Sequence, residues 1–401
     1  MSYPSTFREW LAKIISFDTT SRNSNLPMVE YVRDYLQSVG VESTFVYNAE
    51  KTHANLWATL PGENGVMQGG IVLSGHTDVV PVDGQKWDSD PFTMVEKDGK
   101  LFGRGACDMK GFLAVVLALT PQFLAMKRVK PVHYAFSFDE EVGCTGVPYL
   151  IEYLKERGFK ADACLIGEPT DMNVYVGSKG FTQWNVSVQG KGIHSSMALM
   201  NTSCNAIEYA ADIITKVREI AVDLRDKEKQ VPGYTCPFPC MTTALIKGGN
   251  AVNTVPAQCD FVITVRITDN ETPDDIERRV RAYVNEHVLP SMREEYPEAE
   301  VNVTRPLNMP AFNAKESASL TQKALMLRKA TETFKTGGGT EGGYFEDVLG
   351  VSTVVVGPGP GAMAHLPNEY VLVDEMEKST EFTMALVRLY TDPNCCGTGK
   401  L

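Results

Sequence analysis

Short apolar segments alternate with helical patterns in the first part of the chain, and this alternation restricts the fold more than any other feature. The apolar segments are short enough for buried strands, and apolar residues in the segments between them recur at helical spacing. An alternation of this kind predicts an α/β layer with a mostly parallel sheet. The predicted strands are 55–60, 71–74, 132–138 and 163–166, and the predicted helices lie near 110–126 and 145–157.

The pattern changes at about Phe181, where Trp184, Val186 and Val188 alternate with polar residues. This alternation indicates a sheet with one solvated face. The following elements predict a ferredoxin-like βαββαβ insert. They are a helix at 203–221, strands at 241–246 and 258–267, a helix opened by Thr272 and Pro273, and a strand near 300–304. The α/β pattern then resumes, so we predict one domain from residues 1–179 and 309–401, interrupted by a second at 180–308.

The composition excludes some classes of partner. The net charge is -12, from 38 basic and 50 acidic residues, and a nucleic-acid or anionic-membrane surface needs a basic face. We also expect no membrane span and no secretory signal, because no apolar run is long enough. The predicted location is cytoplasmic. A peroxisome-type organelle is the alternative, from the resemblance of Gly399, Lys400 and Leu401 to a targeting tripeptide.

Nine cysteines are an odd number spread over the chain, which fits reduced thiols better than a disulfide framework. Cys236 and Cys240, in the sequence CPFPC, and the adjacent Cys395 and Cys396 are candidate metal or redox pairs. Neither pair has companions at the spacing of a zinc site. We therefore predict ordinary thiols at these positions.

Residues of the types that commonly bind metal ions follow the predicted strands of the first domain. In open α/β sheets, ligands gather beyond the carboxyl ends of the strands. Two imidazoles and several carboxylates suit zinc or a similar divalent ion, and one shared carboxylate would make a two-metal site. A single histidine or a Glu-Glu pair is commonly structural, but ligand types at five strand ends of one sheet favour a site. The residues are His76, Asp78, Asp108, Asp139, Glu140, Glu141, Glu168 and His365.

Asp78 is interpreted as a residue that supports the site without contacting a metal ion. It follows His76 by two residues, so its carboxylate is expected to accept a hydrogen bond from the imidazole nitrogen that faces away from the metal. The other histidines, His53, His133 and His287, are interpreted as structural.

Several separated segments together resemble one family, that of acetylornithine deacetylases and succinyl-diaminopimelate desuccinylases, which are dinuclear zinc hydrolases. The resemblance extends over essentially the whole chain, and the sequence is most similar to those of the acetylornithine deacetylases. The segments are HTDVVPVDGQKW, GRGACDMKG, DEEVG, GEPT and AHLPNEY.

The resemblance implies a role for each candidate. His76 and Glu168 would bind one metal ion, Glu141 and His365 the other, and Asp108 both. Glu140 would be the general base, Asp78 would support His76, and the peptide bond after Asp108 would be cis. The implied cofactors are two divalent ions, zinc first and cobalt as the alternative.

The resemblance also makes the insert a lid and dimerisation domain. His194 would contact the developing oxyanion, in many family members from the partner subunit, so a homodimer through the lid is expected. Asn253 and Arg266 match substrate-binding positions, and Arg266 offers a planar fork for an α-carboxylate.

A Gly-rich turn near residue 340 completes the predicted substrate site. Gly338, Gly339 and Thr340 would line the pocket, and Glu341 would hold the ammonium of a diamino acid. The predicted activity is hydrolysis of an N-acyl amino acid, with N-acetylornithine first. The alternatives are another N-acyl amino acid hydrolase or a metallodipeptidase of the same family, and a non-catalytic binding or assembly protein.

Overall fold

A computed structural model describes residues 3–200, 202–227, 230–268, 271–392 and 394. The described residues form two compact units. The first comprises those within 1–177, 312–335 and 340–401, and the second comprises 178–311 and 336–339. The predicted boundaries, 179/180 and 308/309, fall close to these positions, but the prediction did not place 336–339 with the second unit. The tripeptide 399–401, Cys395 and Cys396 lie outside the described residues.

The first unit contains a large sheet and a small one. The strands are β1 (Ser43–Tyr47), β2 (Ala54–Leu60), β3 (Ile71–His76), β4 (Val95–Lys97), β5 (Lys100–Phe102), β6 (Val132–Ser137), β7 (Ala163–Ile166) and β8 (Tyr175–Ser178). The second unit contains β9 (Gly180–Gln189), β10 (Cys240–Gly248), β11 (Gln258–Ile267) and β12 (Glu300–Met309). The chain then returns to the sheets of the first unit with β13 (Phe312–Asn313), β14 (Phe334–Thr336), β15 (Thr353–Val355) and β16 (Tyr370–Leu372).

The large sheet is parallel at its centre. Within the described residues its order is β1-β2-β6-β3-β7-β15-β8-β13, with β14 paired to β8. β3 pairs in parallel with β6 and with β7, and β7 pairs in parallel with β15. β1 and β2 add an antiparallel edge. This arrangement confirms the predicted fold class and brings the carboxyl ends of the central strands to one edge.

Helices cover the large sheet. They are α1 (Phe7–Ile15), α2 (Leu26–Ser38), α3 (Lys110–Ala125), α4 (Val147–Glu156), α8 (Ser319–Arg328) and α9 (Val373–Thr391). Helix α3 packs against α1, α9 and β3. It is apolar on almost every side, as expected for a helix buried on all faces. Because α3 begins two residues after Asp108, its packing fixes the position of that carboxylate.

The second unit has the predicted βαββαβ order. Its helices are α5 (Ala206–Asp226), α6 (Pro273–Tyr283) and α7 (Leu289–Glu295). The antiparallel sheet has the order β10-β11-β9-β12. Trp184, Val186 and Val188 of β9 point into a core that includes Ile213 and Val217 of α5. The alternation in the sequence therefore did mark the buried face. No helix among the described residues is long and apolar enough to cross a membrane.

Gly167, directly after β7, allows the sheet to approach α3. A Cβ atom at this position would lie 1.9 Å from Cγ of Phe112 in α3. An aromatic ring in a buried helix has little freedom to withdraw, and overpacking a core costs about 1–3 kcal/mol. The glycine therefore sets the spacing between this part of the sheet and the helix.

We predict that Gly167→Ala lowers the free energy of unfolding by about 2 kcal/mol or more, because the added methyl group displaces Phe112. Urea unfolding of the metal-free protein measures the change. Gly337→Ala is the matched control, since a Cβ there meets nothing within 4 Å. Equal stability of the two variants would contradict the assigned close approach.

Candidate metal centre

His76, the last residue of β3, directs one imidazole nitrogen toward carboxylates. Its Nε2 lies 3.1 Å from Oδ1 of Asp108 and 3.8 Å from Oε2 of Glu168. Its Nδ1 lies 2.9 Å from the backbone oxygen of Asp78. Because a carbonyl oxygen can only accept, Nδ1 carries the proton and Nε2 is left as the candidate ligand atom.

The hydrogen bond to His76 thus differs from the predicted one. The acceptor is the carbonyl oxygen of Asp78, whereas its carboxylate Oδ1 is 3.6 Å from Nδ1, beyond hydrogen-bond length. The carboxylate instead accepts from the backbone N–H groups of Glu140 at 3.0 Å and Glu141 at 3.2 Å, and from Ser21 Oγ at 2.7 Å. Asp78 therefore positions the acidic pair that follows β6.

Asp108 lies between the two imidazoles. Its Oδ1 faces His76, and its Oδ2 is 3.4 Å from Nε2 of His365. The peptide bond between Asp108 and Met109 is cis, as the resemblance implied. One carboxylate thus presents a separate oxygen to each histidine.

His365 completes a second group of ligand types. Its Nε2 is 3.0 Å from Oε2 of Glu141. The residue has a left-handed backbone conformation, with φ +66°, and its carbonyl oxygen accepts a 2.8 Å hydrogen bond from Nε2 of Gln85. Gln85 belongs to the HTDVVPVDGQKW segment, so this segment contributes to both groups.

The side chains form two three-residue groups that share Asp108. In each group the ligand atoms lie within 4.8 Å of one another. The groups are His76, Asp108 and Glu168, and Asp108, Glu141 and His365. Imidazole and carboxylate ligands suit zinc and related divalent ions. In addition, Oε1 of Glu141 is buried without a hydrogen-bond partner among the described residues. These residues therefore fit a two-metal centre.

The crowded carboxylates perturb each other's protonation. Burial raises the pKa of Glu140 to about 8, and repulsion from Glu141 and Asp108 adds to the shift. Burial and repulsion from Asp108 raise the pKa of Glu141 to about 7. Hydrogen bonds to Asp108 and Glu141 raise the pKa of His365 to about 10. Divalent ions would balance the negative charge that these neighbouring carboxylates concentrate in one place.

Glu369 is a residue of the candidate site that the sequence did not indicate. Its Oε1 accepts from the backbone N–H groups of Cys107 at 2.8 Å and Asp108 at 2.9 Å. Its Oε2 accepts from the N–H of Gly105 at 3.0 Å and from Nη1 of Arg104 at 2.7 Å. This fully buried carboxylate shapes the loop that presents Asp108. The signal was an acid in AHLPNEY, next to a short apolar strand, but spacing did not separate it from a surface glutamate.

Glu341, predicted to bind a substrate ammonium, is 1% exposed. Its Oε2 accepts a 2.7 Å hydrogen bond from Ser74 Oγ of β3, and its Oε1 accepts one from Ser137 Oγ of β6. The carboxylate thus joins the two strands that lead to His76 and Glu140. Its predicted contact with substrate stays a prediction. The neighbouring Thr340 is also buried.

In the second unit, the structure brings together the backbone segments that carry His194 and Asn253. The N–H of Ser195 donates a 2.9 Å hydrogen bond to the carbonyl oxygen of Asn253. Nδ1 of His194 lies 2.8 Å from Ser196 Oγ and accepts from the Ser196 N–H at 3.3 Å. A neutral His194 with Nδ1 as acceptor carries its proton on Nε2.

Arg266 in β11 lies beside the Gly-rich turn. A Cβ atom at Gly339 would be 3.6 Å from Nη1 of Arg266. The guanidinium also lies over the ring of Phe181, 4.3 Å from its centroid. The N–H of Gly338 donates to Oγ1 of Thr336 at 3.1 Å. Within the second unit, the arginine and the turn predicted for the substrate are therefore neighbours.

We predict that Glu369→Gln weakens metal binding by about tenfold or more, because the groups that orient ligands affect affinity on this scale. The glutamine side chain has one acceptor oxygen, whereas in the wild type four donors share the two oxygens of the Glu369 carboxylate. Competition with a chromophoric zinc chelator measures the affinity. Glu377→Gln is the control, because the side chain of Glu377 is 57% exposed. Equal affinity in both variants would contradict the assigned role.

The sequence and the fold match known hydrolases. The chain is similar to the acetylornithine deacetylase of Myxococcus xanthus, with 30% identity over 92% of this chain and 93% of that protein. Among solved structures, it resembles the M20 family metallo-carboxypeptidase of Sulfolobus solfataricus, with a TM-score of 0.71, 18% identity, and coverage of 95% and 98%. It also resembles a dinuclear metal-binding M20 peptidase of Bacillus subtilis, with a TM-score of 0.63, 14% identity, and coverage of 95% and 97%.

A family model matches residues 72–389, which include the candidate ligands and the second unit. This match and the deacetylase relatives confirm the family resemblance and the enzyme class, an amidohydrolase. The chain belongs to peptidase family M20/M25/M40.

Proposed function

We propose that this protein hydrolyses the amide bond of an N-acyl amino acid, with N-acetylornithine as the first candidate substrate. The observation that carries the proposal is the position of Asp108, whose two carboxylate oxygens face the two histidine-containing groups. Relatives with about 30% identity that are named acetylornithine deacetylase support the choice of substrate. The alternative substrates are other N-acyl amino acids or dipeptides.

The proposed centre holds two divalent ions, zinc or cobalt. His76 and Glu168 would hold one, Glu141 and His365 the other, and Asp108 both. When bound, such ions supply Lewis acidity for the amide carbonyl and make a water molecule easier to deprotonate. The remaining chemistry belongs to the side chains of the chain itself.

Glu140 is the proposed general base. Sequence spacing did not separate it from Glu141, but Glu141 belongs to a ligand group with His365, and Glu140 belongs to neither group among the described residues. The Asp78 carboxylate accepts hydrogen bonds from the backbone N–H groups of both glutamates. One turn therefore carries both side chains, to which we assign different tasks. Glu140 would take a proton from the attacking water and deliver it to the leaving amine.

His194 is the proposed donor to the oxyanion. With Nδ1 occupied by Ser196, its Nε2–H is the group that can donate to a developing negative charge. Asn253 and Arg266 of the same unit would bind the substrate, with the guanidinium on the α-carboxylate. Gly338, Gly339 and Thr340 would line the pocket.

We also propose a homodimer formed through the second unit. β10 is an edge strand of its sheet, and it exposes Leu245 and Ile246, which are 68% and 58% accessible. An exposed apolar edge strand is a surface that commonly pairs with another chain.

The proposed location is cytoplasmic, since the seven described cysteines are free thiols, which fits a reducing compartment.

We predict that Glu140→Ala keeps two metal ions per chain but loses about three or more orders of magnitude in kcat, because the base acts on water and not on metal affinity. Elemental analysis and the release of acetate from N-acetylornithine measure the two quantities. Glu141→Ala is the matched control and should lose metal. If Glu140→Ala lost metal and Glu141→Ala kept it, the two roles would be exchanged.

Failure of the zinc- or cobalt-loaded wild type to hydrolyse any N-acyl amino acid would contradict the proposed function.

We predict that Glu341→Gln and Arg266→Ala differ in selectivity between N-acetylornithine and N-acetylmethionine. Gln keeps the shape of Glu341 but removes a buried charge that favours a cationic side chain. It should lower kcat/KM for N-acetylornithine by about tenfold or more relative to N-acetylmethionine. Arg266→Ala should lower both values, because both substrates carry the α-carboxylate. An equal loss for both substrates in Glu341→Gln would contradict the cationic substrate and leave Glu341 as a link between β3 and β6.

A further inference from the structure

Cys236 and Cys240 form a close pair of thiols that the proposed function does not use. Their sulfur atoms lie 2.8 Å apart. Both residues are partly exposed, whereas the other described cysteines are buried. A small thiol reagent can therefore reach this pair more easily than any other described cysteine.

The local sequence fixes the two sulfurs close together. Pro237 and Pro239 flank Phe238, and each proline restricts the backbone between the cysteines. The carbonyl oxygen of Phe238 lies 3.7 Å from Sγ of Cys236 and 3.5 Å from Sγ of Cys240. The carbonyl oxygen of Pro237 accepts a 2.7 Å hydrogen bond from the N–H of Val231. Bond formation between the sulfurs thus requires little additional ordering of the chain.

A buried lysine contacts one member of the pair. Nζ of Lys179 lies 3.3 Å from Sγ of Cys240 and donates a 2.6 Å hydrogen bond to the carbonyl oxygen of Phe238. Lys179 is 2% exposed, and a buried ammonium is stabilised by a nearby anion. Burial and the contact with Cys236 raise the pKa of the Cys240 thiol, whereas Lys179 opposes that shift. The lysine therefore favours the Cys240 thiolate at the moment when it must react.

A metal site does not explain the pair. A structural zinc ion takes four ligands, and the groups of three or more ligand types among the described residues do not include Cys236 or Cys240. The pair is also a poor structural crosslink, because closing a loop of so few residues removes little entropy from the unfolded chain. Two adjoining, partly exposed thiols are instead the arrangement that reversible thiol oxidation requires.

We propose that Cys236 and Cys240 form a reversible intramolecular disulfide by exchange with a small-molecule disulfide such as glutathione disulfide. The thiolate of Cys236 attacks one sulfur of the oxidant, and one glutathione thiolate leaves. The thiolate of Cys240 then attacks the Cys236 sulfur of the mixed disulfide, and the second glutathione thiolate leaves. Two protein thiols are oxidised, the oxidant is reduced to two thiols, and the two protein protons pass to the leaving thiolates.

The test uses the full-length protein incubated with glutathione disulfide, followed by alkylation and peptide mass analysis. Both cysteines lie in one tryptic peptide, residues 230–247. In the wild type we expect this peptide to be unalkylated and two hydrogen atoms lighter, and dithiothreitol should restore two alkylated cysteines. Cys240→Ser should instead accumulate a glutathione mixed disulfide at Cys236, because the second thiol is absent.

Two further variants test the mechanism. Cys259→Ala removes a buried thiol of the same unit and should close the pair at the wild-type rate. Lys179→Gln should slow closure by about threefold or more at constant pH, since the Cys240 thiolate loses its neighbouring cation. An unchanged rate in Lys179→Gln would overturn the role given to the lysine.

Three results would overturn the disulfide itself. The first is a wild type that keeps both thiols under conditions that modify Cys236 in Cys240→Ser. The second is a wild type that stops at a stable mixed disulfide. The third is an absence of modification in both proteins, which would show that the oxidant does not reach the pair. None of these measurements depends on hydrolytic activity, so the result is independent of the proposed function.

Discussion

The Asp108 carboxylate lies between two imidazoles, and much of the first unit holds it there. Helix α3 begins two residues later and is buried on almost every side, so the loop before it cannot shift without disturbing the core. Glu369 accepts the backbone N–H groups of Cys107 and Asp108 and pairs with Arg104. A buried carboxylate is costly unless several donors satisfy it. For Glu369 the donors belong to the same loop that carries Asp108, and they offset this cost.

A similar arrangement sets the acidic turn after β6. The Asp78 carboxylate accepts the backbone N–H groups of Glu140 and Glu141, while its carbonyl oxygen fixes the tautomer of His76. One residue therefore orients a ligand of the first group and the backbone that carries a ligand of the second. Glu341 adds a third connection, between Ser74 and Ser137 of adjacent strands. The two groups of candidate ligands are thus connected through Asp78 and Glu341, which belong to neither group.

The sequence predicted the features that depend on local periodicity. Strands β3, β6 and β7 are short apolar segments, and the residues at or just beyond their carboxyl ends, such as His76 and Glu168, were candidates from position alone. Because the carboxyl ends of parallel strands meet at one edge, their convergence followed from the fold class. The alternation of Trp184, Val186 and Val188 likewise identified the buried face of the second sheet.

The features that the sequence did not reveal depend on contacts between distant segments. Asp78 and Glu140 are 62 residues apart, and Glu369 and Asp108 are 261 apart. No periodic pattern distinguishes a carboxylate that binds backbone N–H groups from one exposed to water. Glu341 shows the same difficulty, since its partners Ser74 and Ser137 belong to strands far away in the chain.

The cysteine pair shows what spacing alone does not reveal about two thiols. The spacing of Cys236 and Cys240 was judged against zinc sites, and the lack of companions favoured ordinary thiols. The relevant feature was the intervening Pro-Phe-Pro, which restricts the backbone and leaves the sulfurs 2.8 Å apart. Lys179, one residue before β9, is far from the pair in sequence, so no local pattern indicated that an ammonium would meet Cys240. Proximity of two thiols to each other and to a cation is a tertiary property, and it is the basis of the disulfide that we propose.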